Sequence, residues 1–120
     1  MKWAISQFNL EALHKWDKAF DEVKYLNNWH RHLFAIKVYV EVNHDDRDVE
    51  FINLGHSVIK LLNETLPKHH YGDKEYLCVG SCEMLAERVQ KLVLQAYPYR
   101  KIKVEVFEDG INGPGGALVE

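Results

Sequence analysis

Three histidines occupy positions from which they could bind one metal ion together. His30 and His32 begin an alternating apolar stretch at residues 29–42, which predicts one long β-strand. Side chains two apart on a strand share a face, so both imidazoles are predicted at the end of the face that the strand buries. His14 lies upstream and follows another apolar stretch. Neutral imidazole binds zinc, and three protein ligands with one open position are typical of catalytic sites, so the pattern predicts Zn²⁺ at these histidines.

Two alternatives to this metal site remain open from the residues alone. A His-x-His pair by itself is more often a pair of ordinary polar residues at a strand end, and His14 shifts the balance towards a site. If the three histidines never meet, the domain is an interaction module without a metal. Metal analysis separates these alternatives, because His14→Ala would leave the zinc content of an interaction module unchanged.

Two glutamates are candidates for binding a ligand. Glu108 ends the inward face of the predicted strand 101–108, at the mouth of a glycine-rich loop at 109–116. A carboxylate held there can accept two parallel N–H bonds from a planar, guanidine-like ligand edge. The alternative interpretation of Glu108 is a solvated acid at the end of a strand. Glu83 lies in the first turn of a predicted helix, where it would equally serve to complement the helix dipole.

The two cysteines, Cys78 and Cys82, do not predict a site. They are separated by three residues, whereas the cysteine half of a zinc site usually has two between its thiols. A disulfide is not expected in a cytosolic chain. We therefore predict two small, partly buried residues with free thiols.

Composition excludes several classes of protein. The chain has 120 residues, 47% apolar and 28% charged, which is the balance of one globular domain spanning residues 1–120. The net charge is −3 and the basic residues are scattered, which argues against a nucleic-acid-binding face. No apolar run approaches the roughly eighteen residues of a membrane span. Because residues 1–7 contain no apolar signal core, we expect a cytoplasmic protein.

The periodicity of the chain predicts an α+β fold. Strands are predicted at residues 3–9, 29–42, 101–108 and 117–119, and amphipathic helices at 49–66 and from Ser81 to just before Pro98. Residues 11–24 have helical spacing, and residues 68–75 are predicted to be a polar connector. Strand pairs at both ends and two helices between them predict a four-stranded antiparallel sheet with both helices on one face, in the order ββααββ.

Several short motifs, in the right order, resemble the family of 6-pyruvoyltetrahydropterin and 6-carboxytetrahydropterin synthases. That family has an apolar strand ending in an Ala-Ala-His-like element, followed by a His-Gly-His strand. The segments that carry the resemblance cover nearly the whole chain: Phe8 through His14, His30-Arg31-His32, Val49-Glu50-Phe51, His69-His70-Tyr71, Ser81 through Ala86, and Val104 through Glu108.

The resemblance implies a fold, a cofactor and an assembly. The family has the tunnelling fold, and its members assemble into rings, commonly hexamers, with active sites between subunits. By resemblance, the three histidines would bind zinc, Glu108 would hold a pterin ring, and Glu83 would help to position the helix start near it. His69 would be the catalytic base, and the protein would be a homo-oligomer, a trimer or hexamer, with a small-molecule pterin as ligand.

The proton-transfer residues depart from the family pattern. The family places a catalytic cysteine four residues before the first histidine of His-Gly-His, and this position is Leu26 here. The acid that precedes the family's catalytic histidine is replaced by Lys68, before His69. Arg31 replaces the glycine between the zinc histidines, and its side chain is expected on the opposite face of the strand.

Two functions are therefore compatible with the resemblance. The first is a zinc-dependent lyase acting on a reduced pterin triphosphate such as 7,8-dihydroneopterin triphosphate, in a folate-like, biopterin or deazaguanine (queuosine) pathway. In this enzyme His69, or an acid from another chain, would replace the missing cysteine. The second is a catalytically diverged tunnelling-fold protein that binds a pterin or purine, or serves as a structural assembly.

Overall fold

The computed structural model describes residues 1–110 and 113–120, which form one mixed sheet with helices packed on it. The described strands are β1 (Trp3–His14), β2 (His30–Glu41), β3 (Lys68–Tyr71), β4 (Lys74–Cys78), β5 (Ile102–Glu108) and β6 (Gly116–Val119). The helices are α1 (Phe51–Thr65) and α2 (Cys82–Ala96), and a short 3₁₀ segment covers Asp21–Asn27. The sheet order is β3-β4-β1-β2-β5-β6, with β1 and β4 parallel and the other neighbours antiparallel. The α+β class is confirmed.

The predicted sheet of four strands in the order ββααββ is not what the structure shows. The described residues form six strands, because the supposed connector at 68–75 lies mostly in an antiparallel hairpin of β3 and β4. Gly72, with φ of +65°, takes the first position of its two-residue turn, where glycine is favoured. All four residues of β3 are exposed, so no buried face produced the alternation by which a strand is recognised.

Strand β1 is longer than the sequence pattern predicted. Residues 11–14, which have helical spacing, continue the strand to His14 and pair with β2 along their whole length. Ala12 and Leu13 also pair with β4, and both are fully buried. Pairing with strands on both sides therefore outweighs the helical spacing of the apolar residues in this segment. Between β1 and β2, helical structure is confined to the 3₁₀ segment at Asp21–Asn27.

Both predicted helices are present, and a side chain caps the first turn of each. The carboxylate of Glu50 accepts the backbone N–H groups of Ile52 and Asn53 at the start of α1. At the start of α2, the hydroxyl of Ser81 accepts the N–H of Met84 at 3.1 Å. Pro67 follows the end of α1 by two residues, as predicted.

One face of the sheet and both helices share a single hydrophobic core. Inward residues of β2 and β5 are fully or almost fully buried: Phe34, Ile36, Val38, Val40, Ile102, Val104 and Val106. The only buried polar residues among those described are Ser6 and His14. No helix in the described part of the chain is long and apolar enough to cross a bilayer.

The contact between α1 and β1 depends on a glycine. A Cβ at Gly55 would lie 2.8 Å from the hydroxyl oxygen of Ser6, which donates to the carbonyl of Phe51. We expect Gly55→Ala to lower the free energy of unfolding by about 1–3 kcal/mol, because the helix must move or the hydroxyl must lose its bond. Denaturant unfolding measures this loss. In a Ser6→Ala background the cost should be clearly smaller, and an equal cost in both backgrounds would contradict the assigned contact.

Candidate metal centre

The register of the two central strands brings the three histidines together. His14 lies directly opposite His30 at the end of the β1–β2 ladder, and Ala12 lies opposite His32. Ring centroids of the three imidazoles are 4.4 to 5.0 Å apart. One ring nitrogen from each lies within 4.8 Å of the others, so this group could hold a metal ion. The alternative in which these histidines never meet is therefore not supported.

Each of the three imidazoles is oriented by a hydrogen bond from Nδ1 to an acceptor. His14 Nδ1 lies 3.1 Å from the carbonyl oxygen of Gly80, and His30 Nδ1 lies 2.8 Å from that of Asn28. His32 Nδ1 lies 2.8 Å from Oδ2 of Asp109. Carbonyl and carboxylate oxygens only accept, so Nδ1 carries the proton in every ring. Nε2 of each neutral imidazole is then left with a free lone pair, as a metal ligand requires.

The centre of the cluster is rich in electron pairs and lacks a donor. Nε2 of His30 is buried and has no hydrogen-bond partner among the described residues. The Glu108 carboxylate lies 3.4 Å from His14 Nε2 and 3.7 Å from His32 Nε2, without a hydrogen bond to either. A cation between these nitrogens and the carboxylate would satisfy both. The donor set therefore fits a divalent metal such as Zn²⁺.

A tight glycine loop folds back over Glu108. A Cβ at Gly113 would lie only 1.9 Å from the Glu108 carbonyl oxygen, and one at Gly116 only 2.1 Å from that of Val106. The backbone N–H of Glu108 donates to the carbonyl of Gly115 at 3.1 Å. The predicted glycine-rich loop thus permits close backbone approach and fixes the end of β5. Two of its positions, Ile111 and Asn112, lie outside the described residues.

A cavity of about 710 Å³ opens beside the histidines. Its lining comes from the ends of β1 and β5, the starts of β2, β6 and α2, and the connections between elements: His14, Lys15, Trp16, Leu26, His30, Gly80, Ser81, Cys82, Glu83, Met84, Glu108, Pro114, Gly115 and Gly116. Both glutamates that the sequence singled out are members of this lining. Leu26 is also a member, and its carbonyl accepts the N–H of Trp16 at 2.7 Å, which fixes it at the cavity wall.

His69 lies apart from this cavity in its own chain. It is on β3, at one edge of the sheet, and it is not among the residues that line the cavity. Its ring stacks on Trp29 with centroids 4.9 Å apart. Its catalytic role therefore stays a prediction. Arg31 is half exposed and pairs with Glu11 at 3.5 Å, away from the histidines, as predicted from its odd position.

Both cysteines are buried free thiols, as predicted. Cys82 reaches the cavity, but burial, together with the nearby charges of Glu108 and Glu83, raises the pKa of its thiol to about 11. The thiol is therefore protonated at neutral pH and does not supply a thiolate to the cavity.

Burial also lowers the pKa of His14 below 6.5, although the Gly80 carbonyl and Glu108 act in the opposite direction. The unfolded chain therefore binds a proton before the folded chain does as the pH falls. In metal-free protein, stability should rise with pH from the lowered pKa of His14 up to about 6.5 and be flat above it. Denaturant unfolding between pH 5 and 8 measures this window.

A His14→Gln variant tests the source of this pH dependence. Glutamine does not titrate, so the part of the pH dependence that is due to His14 should disappear. His56→Gln, on an exposed position of α1, is the matched control for removing a histidine and should behave like wild type. A full pH dependence in His14→Gln would contradict burial of this imidazole as the cause.

Asp109 is a site residue that the sequence reasoning did not single out. Besides His32, it accepts the N–H of Leu33 at 3.3 Å. Burial disfavours its charged form, but these hydrogen bonds outweigh burial and hold the pKa of Asp109 below its usual value. The one feature of the sequence that could have pointed to Asp109 is its position directly after Glu108. The carbonyl groups of Gly80 and Asn28 could not be predicted as acceptors for the histidines, because every residue has a backbone carbonyl.

The order of strands and helices in this architecture is that of a tunnelling fold. Solved structures of Plasmodium vivax 6-pyruvoyltetrahydropterin synthase share it: one matches with a TM-score of 0.57 and 12% identity over 99% of this chain and 98% of that chain. A catalytic-residue mutant of that enzyme, with alanine in place of a glutamate, matches with a TM-score of 0.59 and 13% identity over the same shares. No protein-family model and no curated protein matches the sequence. At these identities the likeness establishes the fold.

Proposed function

We propose that this chain is a synthase of the 6-pyruvoyl- or 6-carboxytetrahydropterin type, a zinc-dependent lyase acting on a reduced pterin triphosphate such as 7,8-dihydroneopterin triphosphate. The observation that carries the proposal is the convergence of three Nδ1-anchored imidazoles and Glu108 beside one cavity. The tunnelling fold and the order of the sequence motifs support it. A cytoplasmic single-domain protein is part of the same proposal.

The residues in and next to the cavity would divide into a group that binds metal and a group that binds the pterin ring. His14, His30 and His32 would hold Zn²⁺, which when bound supplies a Lewis acid for the oxygens of the substrate side chain. Glu108 would accept two N–H bonds from the guanidine-like edge of the pterin and so fix the orientation of the ring. Glu83, at the mouth of the cavity, would hold the ligand against the start of α2.

Proton transfer needs a group that the cavity wall lacks at Leu26. We propose that His69 of a neighbouring copy supplies it, because β3 lies at a sheet edge and its backbone is available for pairing between chains. The opposite edge, β6, offers a second such surface. Association through these edges into a trimer or hexamer would place His69 at the boundary between subunits. An acid from another chain is the alternative source, and a glutamate is named as catalytic in the Plasmodium vivax enzyme.

A catalytically diverged protein that binds a pterin or purine is the second candidate function. Two observations favour it: Leu26 cannot transfer a proton, and Lys68 stands where the family has the acid that orients its catalytic histidine. Both candidates keep the metal centre and Glu108. They differ only in turnover.

The experiment that separates them measures zinc content and turnover of 7,8-dihydroneopterin triphosphate on the same purified sample. Zinc with product formation supports the lyase, and chromatography of the product names the reaction. Zinc without turnover supports the diverged protein. If turnover occurs, His69→Ala should abolish it and leave pterin binding intact, whereas unchanged turnover would exclude His69 as the base.

A further inference from the structure

The Asp109 side chain is more tightly held than a solvated loop acid would be. Its Oδ2 lies 2.8 Å from His32 Nδ1, and its Oδ1 accepts the backbone N–H of Leu33 at 3.3 Å. Its own backbone N–H donates to the carbonyl of Leu33 at 2.8 Å. Three hydrogen bonds therefore tie this residue to β2 next to a predicted metal ligand.

The backbone of Asp109 adopts a conformation that glycine takes more readily than aspartate. Its φ is +58°, in the left-handed region, which costs most residues with a Cβ roughly 1–2 kcal/mol and which aspartate adopts more often than most of them. Gly110 follows with φ of +80°, so the turn is one that glycine fits without strain. Glycine at position 109 would adopt this backbone conformation with less strain. The hydrogen bonds of the side chain to His32 and Leu33 give a reason for an aspartate there.

We propose that Asp109 is a positioning residue for the metal centre, and this role rests on the metal site of the proposed function. By accepting the Nδ1–H of His32, it fixes the ring orientation and the tautomer that leaves Nε2 free. The Nδ1 atoms of His14 and His30 face neutral carbonyl acceptors, so His32 is the one of the three whose Nδ1 has an anionic acceptor. A carboxylate acceptor on Nδ1 also strengthens the bond that the other nitrogen of an imidazole makes to a metal.

Two substitutions separate positioning from a purely structural role. Asp109→Gly removes the carboxylate, and relief of the left-handed backbone offsets part of the stability lost with its hydrogen bonds, so the metal-free protein should still fold, with a modestly lower unfolding temperature. Its zinc affinity, measured by competition with a chelator, should nevertheless fall by about 10–100-fold. Asp109→Asn keeps an acceptor for His32 but loses the charge, so its affinity should fall at the lower end of that range, by about 10-fold.

Arg47→Gly provides the matched control. Arg47 is the other residue with a Cβ that has a positive φ, at +53°, among the described residues, and it lies in the loop after β2, outside the cavity lining. The Arg47→Gly variant should relieve at least as much backbone strain, because arginine tolerates this conformation less well than aspartate, and it should keep wild-type zinc affinity. This comparison separates the loss of a carboxylate from the conformational effect of a new glycine.

A readout that needs no metal is the ¹⁵N spectrum of the His32 ring in metal-free protein. The wild type should show the Nδ1–H form, Asp109→Asn should retain it, and Asp109→Gly should lose it. Unchanged zinc affinity in Asp109→Gly, beside a wild type that binds zinc, would overturn this role alone. A wild type that binds no zinc would overturn the metal site as well. If the glycine variant does not fold, wild-type affinity in Asp109→Asn overturns the role of the charge.

Discussion

Replacing His14 with alanine should reduce zinc from about one ion per chain to almost none. His14 supplies one of the three Nε2 lone pairs, and only His30 and His32 would remain. Mutation of a residue that merely orients a ligand typically costs 10–100-fold in metal affinity, so loss of the ligand itself should cost more than about 100-fold. Chelator competition and elemental analysis of the purified protein measure the change.

The stability of the protein should report the same loss. A metal that binds only the folded state raises the free energy of unfolding by about 2.7 kcal/mol at 100 times its dissociation constant. Added zinc should therefore raise the unfolding temperature of wild type and leave His14→Ala almost unaffected. His70→Ala, on the exposed strand β3, is the matched control and should respond like wild type. Wild-type zinc content in His14→Ala would eliminate the proposed centre.

The part of this centre that could be predicted follows from strand periodicity. A period of two places His30 and His32 on the face that Phe34 and Ile36 continue, whatever the neighbouring strands are. The meeting with His14 could not be derived in this way, because it depends on the register of β1 against β2. The residues next to His14 also have helical spacing, and only the pairing of Ala12 and Leu13 with two neighbouring strands makes that segment a strand.

The groups that set the tautomers were beyond sequence reasoning for a different reason. Two of them are backbone carbonyls, from Gly80 and Asn28, which loops bring to the histidines. The third is the Asp109 carboxylate. The β2–β5 ladder pairs Phe34 with Glu108, so Asp109, the residue after Glu108, lies beside the segment of β2 that contains His32. The register between β2 and β5 therefore determines that Asp109 contacts His32 and that Glu108 lines the cavity. The hairpin of β3 and β4 escaped prediction because the exposed edge strand β3 has no apolar alternation.

Glu108→Gln should separate ring binding from metal binding. The amide keeps the shape of the side chain, but it presents one donor to a ligand edge that itself donates, and it removes the charge. A hydrogen bond to a charged group contributes about 1.5–3 kcal/mol, so pterin affinity should fall by about 100-fold. Calorimetry with neopterin, which keeps the ring edge but lacks the reactive dihydro ring and triphosphate, measures the affinity without turnover.

Zinc content decides how this result is interpreted. The Glu108 carboxylate lies within 3.7 Å of two histidine nitrogens, so a fourth metal ligand is the competing role for it. If Glu108 anchors the pterin and does not bind the metal, the Glu108→Gln variant should bind zinc like wild type, because the three imidazoles remain in place. Glu105→Gln, on the other face of β5, should change neither affinity. Loss of zinc affinity together with unchanged neopterin binding would assign Glu108 to the metal and leave the ring of the substrate without an anchor in this chain.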